Sequence, residues 1–165
     1  MPKPFAAILM GSDSDLPKIQ LVIDVLKALH VPVEAKVLSA LCTAETTQTY
    51  VKEADARGAA VFICCASEAA HLIGAVASLT VKPVIGVPND SGFLDGSLSV
   101  IQMPCGYPLA MVSVGKDCAK NAAYLAAQII ALNDKELSNR LKMERKANAE
   151  ATIARDAALQ NQLSL

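Results

Sequence analysis

The residues with the clearest chemical meaning are Gly11-Ser12-Asp13-Ser14-Asp15, which follow directly on the apolar run Phe5-Ala6-Ala7-Ile8-Leu9-Met10. An apolar run halted by glycine, then serines and aspartates, then a helical pattern, reads as a buried strand, a tight loop and a helix N-terminus. Free backbone N–H groups and the helix dipole favour an anion at such a place. Capping of the helix by Ser12 or Ser14 explains the same residues. Neither a Walker-A lysine nor a G-x-G-x-x-G run accompanies them. The other chemistry-bearing side chains are five thiols (Cys42, Cys64, Cys65, Cys105, Cys118) and two histidines, His30 and His71. No C-x-x-C pair occurs, and adjacent Cys64 and Cys65 alternate faces on a strand, so reduced thiols are expected rather than a disulfide framework or zinc. A metal or thiol site from Cys42, Cys65, Cys105 and His71 has no support in the spacing; buried small thiols are the plainer reading. His30 falls in the last turn of a helix, where a histidine suits the dipole. His71, on its own context, reads as a side chain pinning two loops.

These groups are carried by a chain of 165 residues, the size of one domain with a substantial core. Hydrophobic residues make up 53%, mostly Ala, Val, Leu and Ile, which suits alanine-faced helices on a sheet and leaves apolar surface for self-association. With 15 basic and 16 acidic residues there is no electrostatic footprint for a nucleic acid. The apolar runs are too short to span a bilayer, and residues 1–10 do not have the shape of a signal peptide, so a cytoplasmic protein is expected.

Along the chain, Leu16, Ile19, Val22, Ile23, Leu26 and Leu29 recur at helical intervals from about Asp15 to His30. Val33–Leu38 alternates as a second strand, Ser39–Thr43 is its loop, and Glu45–Arg57 a helix with capping chemistry from Thr43. Gly58 ends that helix. Ala59–Cys65 is a continuous apolar strand of the parallel kind, followed by Ala66-Ser67-Glu68 and a helix over 69–79. Val84–Val87 is a fourth strand, 88–96 a long polar loop, 97–102 a short helix, Leu109–Val114 a fifth strand and Lys116–Leu132 a helix. This alternation predicts a parallel five-stranded sheet covered on both faces. Loops 11–15, 39–43, 66–71, 88–96 and 115–121 then share the carboxyl rim, where such sheets bind ligands. The last segment, Lys135 to about Gln160, is a charged helix whose Ala147, Ala151, Ala154 and Ala158 form a stripe of small residues, expected to pack on a neighbouring subunit.

Met10-Gly11-Ser12-x-Ser14-Asp15, Ser39-Ala40, Ala69-Ala70-His71-Leu72-x-Gly74, Ile85-Gly86-Val87-Pro88, Gln102-Met103-Pro104 and Val114-Gly115-Lys116 together resemble the carboxyaminoimidazole ribonucleotide mutase family of purine biosynthesis. The resemblance covers nearly the whole chain. It implies a flavodoxin-like three-layer α/β/α subunit over residues 1–133, with 134–165 a C-terminal helix and tail of the same domain, assembled as a homo-octamer. The implied reaction moves a carboxylate from the exocyclic nitrogen to a ring carbon of an aminoimidazole ribonucleotide, without metal or organic cofactor. It needs a grip on ribose and phosphate, a dry pocket and a proton shuttle.

Carried over position by position, the resemblance implies a substrate-binding set of Gly11, Ser12, Ser14, Asp15, Ser39, Ala40, Leu41, Cys42, Ala66, Ser67 and Leu72. Asp15 would take a ribose hydroxyl, with Ser12 and the loop amides facing the phosphate. The departures bear on catalysis. The family's second loop reads Ser-Ala-His-Arg-Thr-Pro; here it is Ser39-Ala40-Leu41-Cys42-Thr43-Ala44. Leu41 replaces the proton-shuttling histidine and Cys42 the arginine that clamps phosphate. A glycine-rich third loop appears as Cys64-Cys65-Ala66-Ser67-Glu68, loop 88–96 is shortened, and Cys105 replaces a glycine. Three readings follow: an enzyme of the family with its ordinary substrate; a paralogue acting on another small molecule, with Glu68 or His71 as acid/base and Cys42 as nucleophile; or a non-catalytic nucleotide-binding protein.

Overall fold

The computed structural model describes residues 3–66, 71–88 and 103–163. The loop expected over 89–96, the short helix over 97–102, and Ser67 and Glu68 lie outside them. Strands β1 (Phe5–Met10), β2 (Val33–Val37), β3 (Ala59–Ala66) and β4 (Val84–Pro88) form a parallel sheet in the order β2-β1-β3-β4. The helices are α1 (Leu16–Ala28), α2 (Ala44–Ala56), α3 (His71–Leu79), α4 (Cys118–Ala131) and α5 (Lys135–Leu163).

Alternation along the strands divides the core in two. Ala6, Ile8, Met10, Val61, Ile63 and Cys65 face α1 and α4, while Phe5, Ala7, Leu9, Phe62 and Cys64 face α2 and α3. Ala59 shares a face with Phe62 despite opposite parity, because the register between β1 and β3 shifts at Phe5/Ala6 and admits an extra residue. Ala119, Ala122, Ala123, Ala126 and Ala127 of α4 are fully buried, and their small side chains let α4 lie close against α1 and the sheet. Cys64 and Cys65 are buried on opposite faces, as their adjacency requires.

The expected fifth strand over Leu109–Val114 is not formed. Among the described residues the sheet has four strands, and this segment joins it only through a parallel bridge between Ile85 and Ala110. The Gly86 amide donates to the Ala110 carbonyl at 2.8 Å and the Ala110 amide to the Val84 carbonyl at 2.9 Å. The next rung of a parallel ladder would need an N–H from residue 88. That residue is Pro88, which has none, so pairing stops after one residue.

Other expectations shift at element ends. His30 lies beyond α1 with φ 57°. The His30 amide donates to the Lys27 carbonyl at 2.9 Å and the Val31 amide to the Leu26 carbonyl at 2.8 Å, a Schellman closure with histidine at the left-handed position. Thr43 precedes α2, but its hydroxyl makes no cap bond and turns back to Ser39. α5 packs on its own domain only at its start. Leu137 is fully buried, Arg140 Nε reaches the Leu29 carbonyl at 3.0 Å, and Glu144 accepts from the Tyr124 hydroxyl. From Arg145 through Leu163 every residue is exposed, including the alanine stripe.

Candidate active site

The strand order places the topological switch between β1 and β3. The chain leaves β1 towards β2 on one side and β3 on the other, which opens a crevice at the carboxyl ends. The loop after β1 sits at that crevice. Ser12 is extended (φ −146°, ψ 154°), and its Oγ accepts from the Ser14 amide at 3.2 Å and the Ser14 hydroxyl at 2.9 Å. Ser12 thereby caps a single 3-10 turn over Asp13–Asp15, so the capping role is realised. Pro17 stands in the first turn of α1, where its missing N–H costs no bond.

Asp15 closes this loop. It is 2% exposed, and neither carboxylate oxygen has a hydrogen-bond partner. Burial pushes its carboxyl above the usual carboxylate range; the nearby Ser12 and Gly11 amides, which fall outside hydrogen-bond geometry, and the Lys18 ammonium oppose the shift only in part. A carboxylate buried without a partner is costly to stability unless a ligand completes it. A Cβ built on Gly11 would meet nothing within 4 Å, so the space above this turn is open.

The loop after β2 is joined to β1 by the Leu38 amide, which donates to the Met10 carbonyl at 2.9 Å. Ser39 organises it. Its Oγ accepts from the amides of Leu41 (3.3 Å) and Cys42 (3.1 Å), its own amide donates to Thr43 Oγ1 at 2.8 Å, and its carbonyl accepts from the Thr47 hydroxyl at 3.2 Å. The result is a rigid turn that lifts Leu41, 75% exposed, and the exposed Cys42 into solvent, with Ala40 half-buried beneath them. On the far side of the crevice β3 ends at Ala66, paired with Pro88, and His71 begins α3 as an exposed residue. Leu72 turns away, 4% exposed, into the core below α2 and α3.

Two contacts on this rim carry no sequence motif. Lys18, from the first turn of α1, reaches across to the Pro88 carbonyl at 2.8 Å, and Cys118 Sγ lies 3.7 Å from the same oxygen. The only trace of them in the sequence is a lysine on the face of α1 that follows the loop. The thiols do not assemble. Cys65 and Cys118 are buried while Cys42 and Cys105 are exposed, and no group of three His, Cys, Asp or Glu side chains among the described residues can hold a metal ion. A concavity of about 940 Å³ lies at the other end of the sheet, lined by Thr80–Val84 and Gly106–Ala110, away from this rim.

The comparisons with known proteins agree with this arrangement. The model of the AIR carboxylase family matches residues 6–151. The chain belongs to that family. It is 42% identical over 170 residues to the N5-carboxyaminoimidazole ribonucleotide mutase of Pyrococcus horikoshii, covering 98% of this chain and 95% of that one. It is 43% identical over 150 residues to the Escherichia coli K12 mutase, with 89% of each chain covered. The crystal structure of Treponema denticola PurE superposes with a TM-score of 0.85 at 32% identity, over 94% of this chain and 98% of that one. In this AIR carboxylase family member, then, the loops bearing Asp15, Ser39 and Leu41 stand on a fold shared with solved relatives. No helix among the described residues is long and apolar enough to cross a membrane.

Proposed function

We propose that this chain binds an aminoimidazole ribosyl compound in the crevice at the carboxyl ends of β1 and β3, beside loops 11–15 and 39–43, and that it carries out the carboxylate transfer of its mutase relatives slowly or not at all. The observation that carries the reading is Asp15, buried and unpartnered at the switch point. Ribose hydroxyls are the donors that a carboxylate in this position lacks, and a vicinal diol offers two. Ser12, Ser14 and Ser39 frame the same crevice, and Gly11 leaves room above it.

The expectation of weak catalysis rests on Leu41 and Cys42. Moving a carboxylate onto a ring carbon requires removal of the proton from that carbon, and the leucine carries no exchangeable proton. Loss of a proton-transfer group costs on the order of 10²–10⁴ in rate. The test is turnover of the N- and C-carboxylated aminoimidazole ribonucleotides by the native chain and by the Leu41→His/Cys42→Arg double variant. We expect the double variant to be faster by at least about 10². Native turnover at the rate of an intact relative would refute the reading.

A second reading has one observation in its favour: Cys42 and His71 are both exposed at the carboxyl rim. A paralogue with another substrate could use Cys42 as nucleophile and His71 or Glu68 as acid/base. Homo-octamer assembly through α5 belongs to the same proposal. It is supported by nineteen residues of helix, Arg145 to Leu163, with no cover from their own domain and with Ile153 and Leu163 at least 70% exposed.

A further inference from the structure

We infer that β2 is an interaction edge for a second copy of this chain, which adds its own β2 antiparallel about a two-fold axis at Ala35. This contact is separate from the assembly through α5 and does not rest on the ribosyl reading.

β2 borders the sheet, and among the described residues no strand pairs with its outer side. The opposite border is partly closed by the bridge to Ala110 and by Pro88 at the end of β4. The Ala6 amide donates to the Pro32 carbonyl and the Leu38 amide to the Met10 carbonyl, so the even-numbered residues from 32 to 38 turn their backbone groups towards β1. Val33, Ala35 and Val37 therefore turn theirs outward. Ala35 is exposed and Val37 is 54% exposed, so this edge stands open to water. An open edge with apolar side chains invites another strand, and charge is the usual guard against it. The charges here are Glu34 and Lys36, on the α2 face. The Tyr50 hydroxyl donates to Glu34 at 3.3 Å, and Lys36 Nζ lies 6.0 Å from the centre of the Tyr50 ring.

The spacing of these charges fits one register of a second β2 and opposes its neighbours. With the two-fold axis at Ala35, Val33 stands opposite Val37 of the other copy and Ala35 opposite Ala35, so each outward N–H and C=O finds a partner. Glu34 then stands opposite Lys36 of the other copy, twice over. A slide of two residues in one direction sets Glu34 against Glu34, and in the other Lys36 against Lys36. Parallel pairing in register does both, and like charges directly opposite are destabilising. A slide of one residue sets outward backbone groups against inward ones and yields no ladder. Glu34 is also fixed in advance. The Arg57 guanidinium holds its two oxygens at 2.5 and 2.8 Å, and Tyr50 adds a third bond. A carboxylate has about four acceptor positions, so one is left for the lysine of the other copy, and the acid stands between two bases. A side chain ordered before docking loses less entropy when it pairs.

Ala35→Cys in the full chain tests the axis. Opposed residues of a hydrogen-bonded antiparallel pair lie about 5.5 Å apart at Cα, a span that a disulfide bridges. Incubated with glutathione disulfide, this variant should form a covalent dimer whose linked peptides both carry position 35, as read by mass spectrometry. The introduced thiol recovered as a glutathione adduct on a single chain, or linked to Cys42 or Cys105, overturns the inference and leaves the edge to a strand of another protein. Adding Lys36→Glu sets Glu34 against a second carboxylate in both halves, and should cut the yield of that dimer about fivefold or more. An unchanged yield overturns the register and the inference with it. The unaltered chain supplies a readout that needs no substitution. By hydrogen exchange resolved to single amides at high protein concentration, Val33, Ala35 and Val37 should exchange as slowly as Glu34 and Lys36, whose amides face β1. Exchange of those three at the rate of an open strand overturns the inference.

Discussion

At the scale of single residues, Asp15 and Cys42 carry the most information. A carboxyl held above its ordinary value binds more protons in the folded chain than in the unfolded one, so folding stability falls as pH rises through that interval. For Asp15 the penalty is absent below the ordinary value of 3.8 and complete above the raised one. Asp15→Asn removes the charge while keeping the shape. It is expected to raise stability at pH 7 by about 1 kcal/mol and to flatten this part of the pH profile, as read by urea unfolding between pH 3.5 and 7. The thiols give a second check. Burial pushes the Cys64 thiol far above its ordinary value, and Cys65 and Cys118 are buried too, whereas Cys42 and Cys105 are exposed. Two of the five thiols should therefore react rapidly with a water-soluble disulfide reagent in the native chain, and all five after denaturation. The identities of Asp15, Leu41 and Cys42 were legible as letters in a pattern. That Asp15 is unpartnered, and that Ser39 consumes the amides of its own loop, was not, because both depend on where side chains point after folding.

At the scale of elements, the clearest local conflict is His30. It occupies a left-handed position that glycine fills without cost. His30→Gly should stabilise the chain by about 0.5–1 kcal/mol, a rise of roughly 1–4 °C in Tm by calorimetry, because it relieves a strained φ outside the helix interior. The missing fifth strand makes a related point. Leu109–Val114 has the composition of a strand, yet Pro88 in the neighbouring strand withholds the donor that a second rung needs. Strand propensity is a property of the segment itself, while pairing is a property of two segments, and the proline that ends it lies about twenty residues earlier in the chain.

At the scale of the molecule, one domain buries its core on both faces of the sheet and still leaves much of α5 in solvent. If α5 is an assembly element, Ile153→Glu with Leu159→Glu should lower the mass measured by light scattering while leaving the thermal transition of the domain within about 2 °C. A wild-type chain that elutes as a monomer would end that reading. By itself the sequence determined the strand and helix alternation, the parallel sheet, the family and the residues that depart from it. These are set by local periodicity and by short motifs, which survive in one dimension. Only the tertiary structure decided that the described residues form a sheet of four strands, that Cys64 and Cys65 lie in separate cores, and that Leu72 belongs to the core while the Asp15 carboxylate stands buried without a hydrogen-bond partner. Each of these depends on which groups meet across the fold, and hydrogen-bond satisfaction and burial are settled between segments rather than within them.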